Sequence, residues 1–246
     1  MSGRVLITGA TSGIGRQLAL DYRRSGWQVW GCGCGRDGER LQALAHEGIT
    51  PLQFDARDSA AMAEVAAGLP RLDLLILNAG NCEYMDVAEG FDSALFARVI
   101  ETNLVATGHT LAAFLPLLER GARLAIVSSS VSWLPLPRAE AYGASKAALD
   151  YLAATLRLDL AALGIGVTLI RPGFVQTPLT AKNDFPMPCL VTVEEASRAI
   201  MGGLAAGRHQ IHFPRRFIWL LRLLGALPTG LWLRLGRTLI SKGSPS

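Results

Sequence analysis

From Arg4 to about residue 213, short runs rich in valine, isoleucine and leucine alternate with longer stretches rich in alanine and leucine. That alternation limits the possible folds more than any other feature of the chain. Strands are predicted at 4–8, 28–32, 50–54, 72–77, 122–128, 167–171 and 210–213, and helices at 14–25, 37–47, 59–67, 92–118, 139–163 and 193–206. The strand runs are apolar at successive positions, the pattern of parallel strands covered by helices on both faces. Thr192-Val193-Glu194-Glu195 has the spacing of a capping box, so the last of these helices is expected to start there. The expected fold is therefore α/β, a doubly wound parallel sheet of about seven strands with helices on both faces.

Half of the 246 residues are apolar and 18% are charged, which excludes general disorder. The length allows one or two domains, and one suffices for an α/β fold of this size. The formal charge of +4 is unevenly placed. From Arg208 onward the chain holds Arg208, Arg215, Arg216, Arg222, Arg234, Arg237 and Lys242 with no aspartate or glutamate, whereas the preceding 207 residues are slightly acidic. The basic character thus belongs to the tail, and nucleic acid is not an expected partner. The expected division is a catalytic body over 1–213 and a basic, apolar tail over 214–246. Val5-Leu6-Ile7-Thr8 is too short for a signal segment, and the four cysteines have no CxxC spacing. Cys32 and Cys34 are read as small buried apolar residues, no metal site is expected, and a cytoplasmic setting follows.

Directly after the first predicted strand comes Thr8-Gly9-Ala10-Thr11-Ser12-Gly13-Ile14-Gly15, then a helix. Three glycines let the backbone turn sharply and approach a pyrophosphate, whose charge meets the free N–H groups at the helix start. The spacing is GxxxGxG rather than GxGxxG. Further along stand Asp55 after the third strand, Asn78-Ala79-Gly80 after the fourth, Asn103 in Glu-Thr-Asn-Leu, and Ser129 thirteen residues before Tyr142. Tyr142-Gly143-Ala144-Ser145-Lys146 and Arg171-Pro172-Gly173 with Thr177 complete the series. Together these motifs resemble the short-chain dehydrogenase/reductase family, in order and in register from residue 4 to about 213. The resemblance implies a Rossmann-type fold and a nicotinamide cofactor bound along Gly9, Thr11, Ser12, Gly13, Ile14, Gly15, Asp55, Asn78, Ala79 and Gly80. It places Tyr142, Lys146, Pro172, Gly173 and Thr177 at the nicotinamide end.

The chemistry can be rebuilt from residue types. Reducing a carbonyl by hydride needs a proton donor at its oxygen, and oxidising an alcohol needs the reverse. A tyrosine with an ordinary pKa near 10 is a poor base unless its phenolate is stabilised. Lys146, four residues beyond Tyr142 on one helix, lies within reach and would favour the anion. Ser129 can hydrogen-bond the substrate oxygen, although Ser128 and Ser130 flank it; the spacing favours Ser129. By resemblance, Lys146 also holds the nicotinamide ribose, and Asn103 anchors a proton-relaying water. A lone Tyr-x-x-x-Lys usually means a half-buried aromatic beside a solvated amine. Here, however, there are three lysines against 21 arginines, and one stands at this position.

The second strand runs into Gly33-Cys34-Gly35-Arg36 with no carboxylate until Asp37. Arg36 could face a 2′-phosphate, so NADP(H) is favoured and NAD(H) possible; a solvated loop role for Arg36 is the alternative. The loop over 177–191, with Phe185-Pro186-Met187-Pro188, suits an apolar or amphipathic alcohol or carbonyl, or else simply covers the core. His46 and His109 are read as surface or packing residues. Arg222, Pro228 and Arg234 interrupt the apolar tail too often for a membrane span. Residues 215–235 therefore read either as a contact that packs on the chain itself or in a homodimer or homotetramer, or as an interfacial segment on an anionic membrane, peripheral at its inner face. The functional expectation is an NADP(H)-dependent oxidoreductase interconverting an alcohol and a ketone or aldehyde. A non-catalytic dinucleotide sensor of the same fold is the alternative, though it needs no Ser/Tyr/Lys/Asn set. An extended sugar-nucleotide epimerase would need a larger C-terminal domain.

Overall fold

The computed structural model describes residues 3–34 and 38–241, and side chains as far as Gly236. Seven strands form one parallel sheet: β1 (Arg4–Thr8), β2 (Gln28–Gly33), β3 (Thr50–Gln53), β4 (Leu72–Leu77), β5 (Leu118–Val127), β6 (Gly166–Pro172) and β7 (Gln210–Phe213). Their order is β3-β2-β1-β4-β5-β6-β7, with every pair parallel. Strand succession reverses direction between β1 and β4. In open α/β sheets the crevice beyond the carboxyl ends of the strands at such a point is where ligands bind.

The helices are α1 (Gly13–Arg24), α2 (Gly38–His46), α3 (Ser59–Ala67), α4 (Ser93–Ile100), α5 (Ala106–Phe114), α6 (Glu140–Ala161), α7 (Val193–Ala205), α8 (Arg215–Gly225) and α9 (Thr229–Ser241). Leu18 and Ala19 of α1, Leu44 of α2 and Ile200 of α7 pack with Val5, Ile7 and Ile76 on one face of the sheet. On the other face Met62 of α3, Phe114 of α5 and Leu149 and Ala153 of α6 pack with Leu6, Leu75 and Leu124. Both faces are thus covered, and burial at about 1.5–3 kcal/mol per large side chain stabilises each layer. Asp58, Asp92 and Thr192 cap α3, α4 and α7 through their side chains, the last as a full capping box with Glu195.

Two elements depart from the sequence reading. The single helix expected over 92–118 is broken into α4, a π-helical turn at Glu101–Val105, α5 and a 3-10 turn at Leu115–Leu117. Pro116, which lacks an N–H, ends the α-helical bonding. The π turn sits at Asn103, whose side chain bonds another loop. The fifth strand begins at Leu118 rather than 122, because Leu118 pairs with Leu72 before a register shift. Gly121, at φ +91°, makes that irregularity possible.

Candidate active site

The carboxyl ends of β1 and β4 are tied together by the residues that make the crevice floor. Thr8 Oγ1 accepts from the backbone N–H groups of Asn78 and Ala79, each at 3.0 Å. Asn78 Nδ2 donates to the carbonyls of Thr8 (3.0 Å) and Gly9 (3.3 Å). The glycine turn is therefore pinned directly to the Asn-Ala-Gly segment.

Its glycines are required by close approach. Gly9 (φ +65°) would place a Cβ 2.9 Å from Ala79 Cα, and Gly15 would place one 2.3 Å from the Gly9 carbonyl oxygen. Gly13 (φ +54°) faces the Thr177 side chain, which a Cβ would meet at 3.1 Å. Thr11 is buried beneath the turn, and a Cβ at Gly33 would meet its methyl. Ser12 stands at the N-cap of α1 without a side-chain capping bond, and Gly13, Ile14 and Gly15 form the first helical turn. A turn whose glycines leave its backbone open to close approach, roofed by Thr177 and opening on a helix N-terminus, fits a pyrophosphate. Thr177 is held in place by Thr180, through its N–H to Thr180 Oγ1 (3.0 Å) and a hydroxyl pair at 3.2 Å. Pro172 ends β6, and Gly173 donates to the Phe213 carbonyl at 2.7 Å.

Asp55, just past β3, accepts from the Arg57 backbone and from its guanidinium, both at 3.0 Å. This brings Arg57, which sequence reasoning passed over, to the edge where Asp55 was expected to meet an adenine. A basic residue two positions after the aspartate was the available signal. Arg36, the residue expected to choose between cofactors, lies outside the described residues.

Across the crevice, Ser129 follows β5 and caps the 3-10 turn Ser130–Trp133, accepting from the Val131 N–H at 3.3 Å. Its hydroxyl also lies beside Tyr142, near the start of α6, while Ser128 bonds the Lys146 carbonyl and Ser130 is buried. Of the three serines, Ser129 is the one set against the tyrosine. Burial pushes the Tyr142 phenol above its ordinary value, and the Ser129 hydroxyl pulls it back. Lys146 Nζ stands 5.7 Å from the centre of the Tyr142 ring and donates to the Val127 carbonyl at 3.1 Å. Burial pushes this lysine down to about 8, opposed by Cys82 and Asp150. Lys146 thus underlies the ring of Tyr142, and burial, rather than the ammonium, dominates the phenol.

Asn103 is fully buried. Its Nδ2 donates to the Asn81 carbonyl (2.9 Å) and Ser145 Oγ (3.0 Å), and its Oδ1 accepts from the Asn81 N–H (2.8 Å). A π turn commonly marks a functional helix site, and here it turns Asn103 onto the segment after Gly80. A Cβ on Gly80 would lie 3.0 Å from Asn103 Oδ1 and 3.4 Å from Lys146 Nζ. The missing side chain leaves an opening lined by the amide and the amine together.

Cys82 and Tyr84 were not singled out in the sequence. The structure brings them to Tyr142 and Lys146. Burial raises the Cys82 thiol, while the neighbouring Tyr84 hydroxyl and the charge of Lys146 oppose it. Their position two and four residues after Asn-Ala-Gly was the only clue. From Tyr84 an aromatic row continues to Phe185 at 5.3 Å, then Phe174 at 6.1 Å. The segment 177–191 is closed at its base by the Val175–Val191 bridge, and its Asp184 pairs with Arg138 at 3.0 Å. Phe185 therefore packs between Tyr84 and Phe174. The neighbouring charges, Arg138–Asp184 and Arg98–Glu83, are mutually neutralised.

The sequence profile of the short chain dehydrogenase family matches residues 4–186. An uncharacterized oxidoreductase of Myxococcus xanthus (strain DK1622) is 36% identical over 239 residues, covering 92% of this chain and 93% of that protein. A serine 3-dehydrogenase of Rhizobium radiobacter is 35% identical over 188 residues, covering 73% and 75%. Among solved structures, a short chain dehydrogenase from Burkholderia cenocepacia J2315 in complex with NADP superposes with a TM-score of 0.84 at 25% identity, covering 95% of this chain and 97% of that one.

Proposed function

The chain belongs to the short-chain dehydrogenase/reductase family, oxidoreductases acting between CH–OH and C=O groups, and from that premise we propose an NADP(H)-dependent alcohol–carbonyl interconversion on an apolar or amphipathic substrate. The observation that carries this reading is Lys146 Nζ 5.7 Å from the centre of the Tyr142 ring, with Ser129 beside the phenol, together with a glycine turn built for a pyrophosphate. The glycine turn, Asn78–Gly80, Pro172, Gly173 and Thr177 would hold the cofactor, with Asp55 and Arg57 at its adenine end. NADP(H) is placed ahead of NAD(H) by the NADP bound in the Burkholderia structure.

The bound nicotinamide supplies or accepts the hydride. In the reducing direction Tyr142 Oη donates the proton to the carbonyl oxygen, and Ser129 Oγ donates a hydrogen bond to the same oxygen as charge develops there. Lys146 would hold ribose hydroxyls and, through a water anchored beside Asn103 at the Gly80 opening, would pass to Tyr142 a proton drawn from solvent. In oxidation Tyr142 takes the proton instead, so its anion must be reachable. Because Ser129 favours that anion, Ser129→Ala is expected to move the rising limb of the alcohol-oxidation pH profile upward by about 1–2 pH units, besides lowering the rate. An unmoved limb would remove Ser129 from this role; the measurement is kcat for oxidation against pH.

Tyr84, Phe174 and Phe185 make the substrate side aromatic, and Arg138 is already neutralised by Asp184, which suits an uncharged substrate. The test is consumption of NADPH, and separately of NADH, over aldehydes and ketones of graded chain length. Higher kcat/KM with NADPH, rising with apolar length, is expected; preference for NADH or for short anionic carbonyls would overturn the assignment. A homo-oligomer belongs to the same reading, with Tyr151 and Leu158 on α6 each about three-quarters exposed.

A further inference from the structure

The two tail helices each have two faces. Phe217, Ile218 and Leu221 of α8 and Trp232 of α9 are buried together with Leu134. Trp232 Nε1 donates to the Pro135 carbonyl at 3.1 Å, and the Arg222 guanidinium lies 5.5 Å from the centre of the Trp133 ring. The inner faces are thus docked on the turn that Ser129 begins. The outer faces carry Trp219 and Leu223, both 67% exposed, with Leu220, Leu231, Leu233 and Leu235 exposed beside them. Arg215, Arg216, Arg222 and Arg234 are exposed on the same two helices, and no acidic residue follows Arg208.

We propose that this outer face seats on an anionic lipid surface, and that the carbonyl substrate is an apolar-chain compound drawn from that surface, the second half resting on the reductase reading above. Tryptophan and leucine flanked by arginine are the composition of a helix lying in a membrane interface. Charge selects the occupant: a second copy would bring two arginine-rich faces together, whereas an anionic leaflet complements them. No single helix among the described residues is long and apolar enough to cross a membrane; the α8–α9 pair reaches that length only together, is bent by 119°, and has Phe217, Ile218, Leu221 and Trp232 docked on the body, an arrangement that fits lying on a surface.

The same helices connect to the site. Phe217 packs on Phe174 at 5.5 Å, and Phe174 continues through Phe185 and Tyr84 toward Tyr142. The side of the site that borders α8 is therefore aromatic, suited to an apolar chain presented from that side.

The experiment uses the full chain and a Trp219→Glu/Leu223→Glu/Leu233→Glu variant, because deleting the helices would also uncover Leu134. Matching thermal melts establish that the variant is folded; substitution at exposed positions leaves the inner face intact. Wild type is expected to co-sediment with phosphatidylcholine–phosphatidylglycerol vesicles, and not with phosphatidylcholine alone, with partitioning about tenfold weaker in the variant and reduced by salt. Arg215→Glu/Arg216→Glu should weaken it likewise. Equal partitioning of wild type and the triple variant, no co-sedimentation, or an oligomer dissociated by the triple substitution in light scattering would each overturn the surface. For the delivery half, both proteins should reduce a water-soluble aldehyde equally, while the variant loses about tenfold on a long-chain aldehyde held in vesicles; equal rates there refute it. Failure of wild type on every carbonyl would instead refute the reductase reading, and sedimentation would still decide the surface.

Discussion

Replacement of Tyr142 by phenylalanine is expected to lower kcat by about 10²–10⁴ in both directions, with NADPH affinity unchanged. The ring is retained, so the packing over Lys146 Nζ at 5.7 Å survives, and only the proton-transferring oxygen is lost. The phenol lies beside Ser129 and is the group that burial holds mainly protonated, as a proton donor to a carbonyl oxygen requires. Fluorescence titration with NADPH separates binding from turnover. Activity within threefold of wild type would mean that another group supplies the proton and that the Ser129–Tyr142 pair has a structural role.

Gly15→Ala should be the most damaging single methyl group in the chain. A Cβ there would lie 2.3 Å from the Gly9 carbonyl oxygen and 2.4 Å from Asn78 Nδ2. Neither neighbour can withdraw freely, because Asn78 Nδ2 also bonds the Thr8 and Gly9 carbonyls and thereby joins the ends of β1 and β4. A destabilisation of about 1–3 kcal/mol is expected, lowering Tm by roughly 2–4 °C per kcal/mol in a chain of this size. NADPH affinity should fall with it, since the shifted carbonyl narrows the pyrophosphate turn. Gly108→Ala, in α5, where a Cβ meets nothing within 4 Å, is the control and should leave NADPH affinity unchanged while raising stability by up to about 1 kcal/mol. Wild-type affinity and melting in Gly15→Ala would show that the turn yields more easily than its contacts imply.

The sheet was legible in the sequence because its strands are short apolar runs, bounded by turns and buried on both faces. β1, β4 and β7 fall where the pattern places them. The helix expected over 92–118 was misread for a local reason. Periodicity sees side-chain spacing, whereas the π turn at Asn103 depends on hydrogen bonds from its amide to Asn81, 22 residues earlier in the chain. The candidate site divides in the same way. Gly9, Gly13, Gly15, Asn78, Ser129, Tyr142 and Lys146 stand at fixed spacings within or beside single elements. Cys82, Tyr84 and Arg57 do not, and their proximity to the site follows from how loops fold over the strand ends.

The tail shows the limit most clearly. Composition alone placed a basic, apolar segment after residue 213 and left its partner open. Packing decided which half of its apolar surface meets the body: Phe217, Ile218, Leu221 and Trp232 turn inward, while Trp219, Leu223 and Leu233 turn out. A helix presents faces, and a face acquires meaning only from what lies against it. The sequence by itself determined the fold class and the glycine turn, since these depend on periodicity and short spacing, and its resemblance to a family pointed to the Ser/Tyr/Lys/Asn set. The tertiary structure decided which serine meets the tyrosine, that burial outweighs the lysine at the phenol, and which side of the tail remains for a partner, since these depend on contacts between residues far apart in the chain.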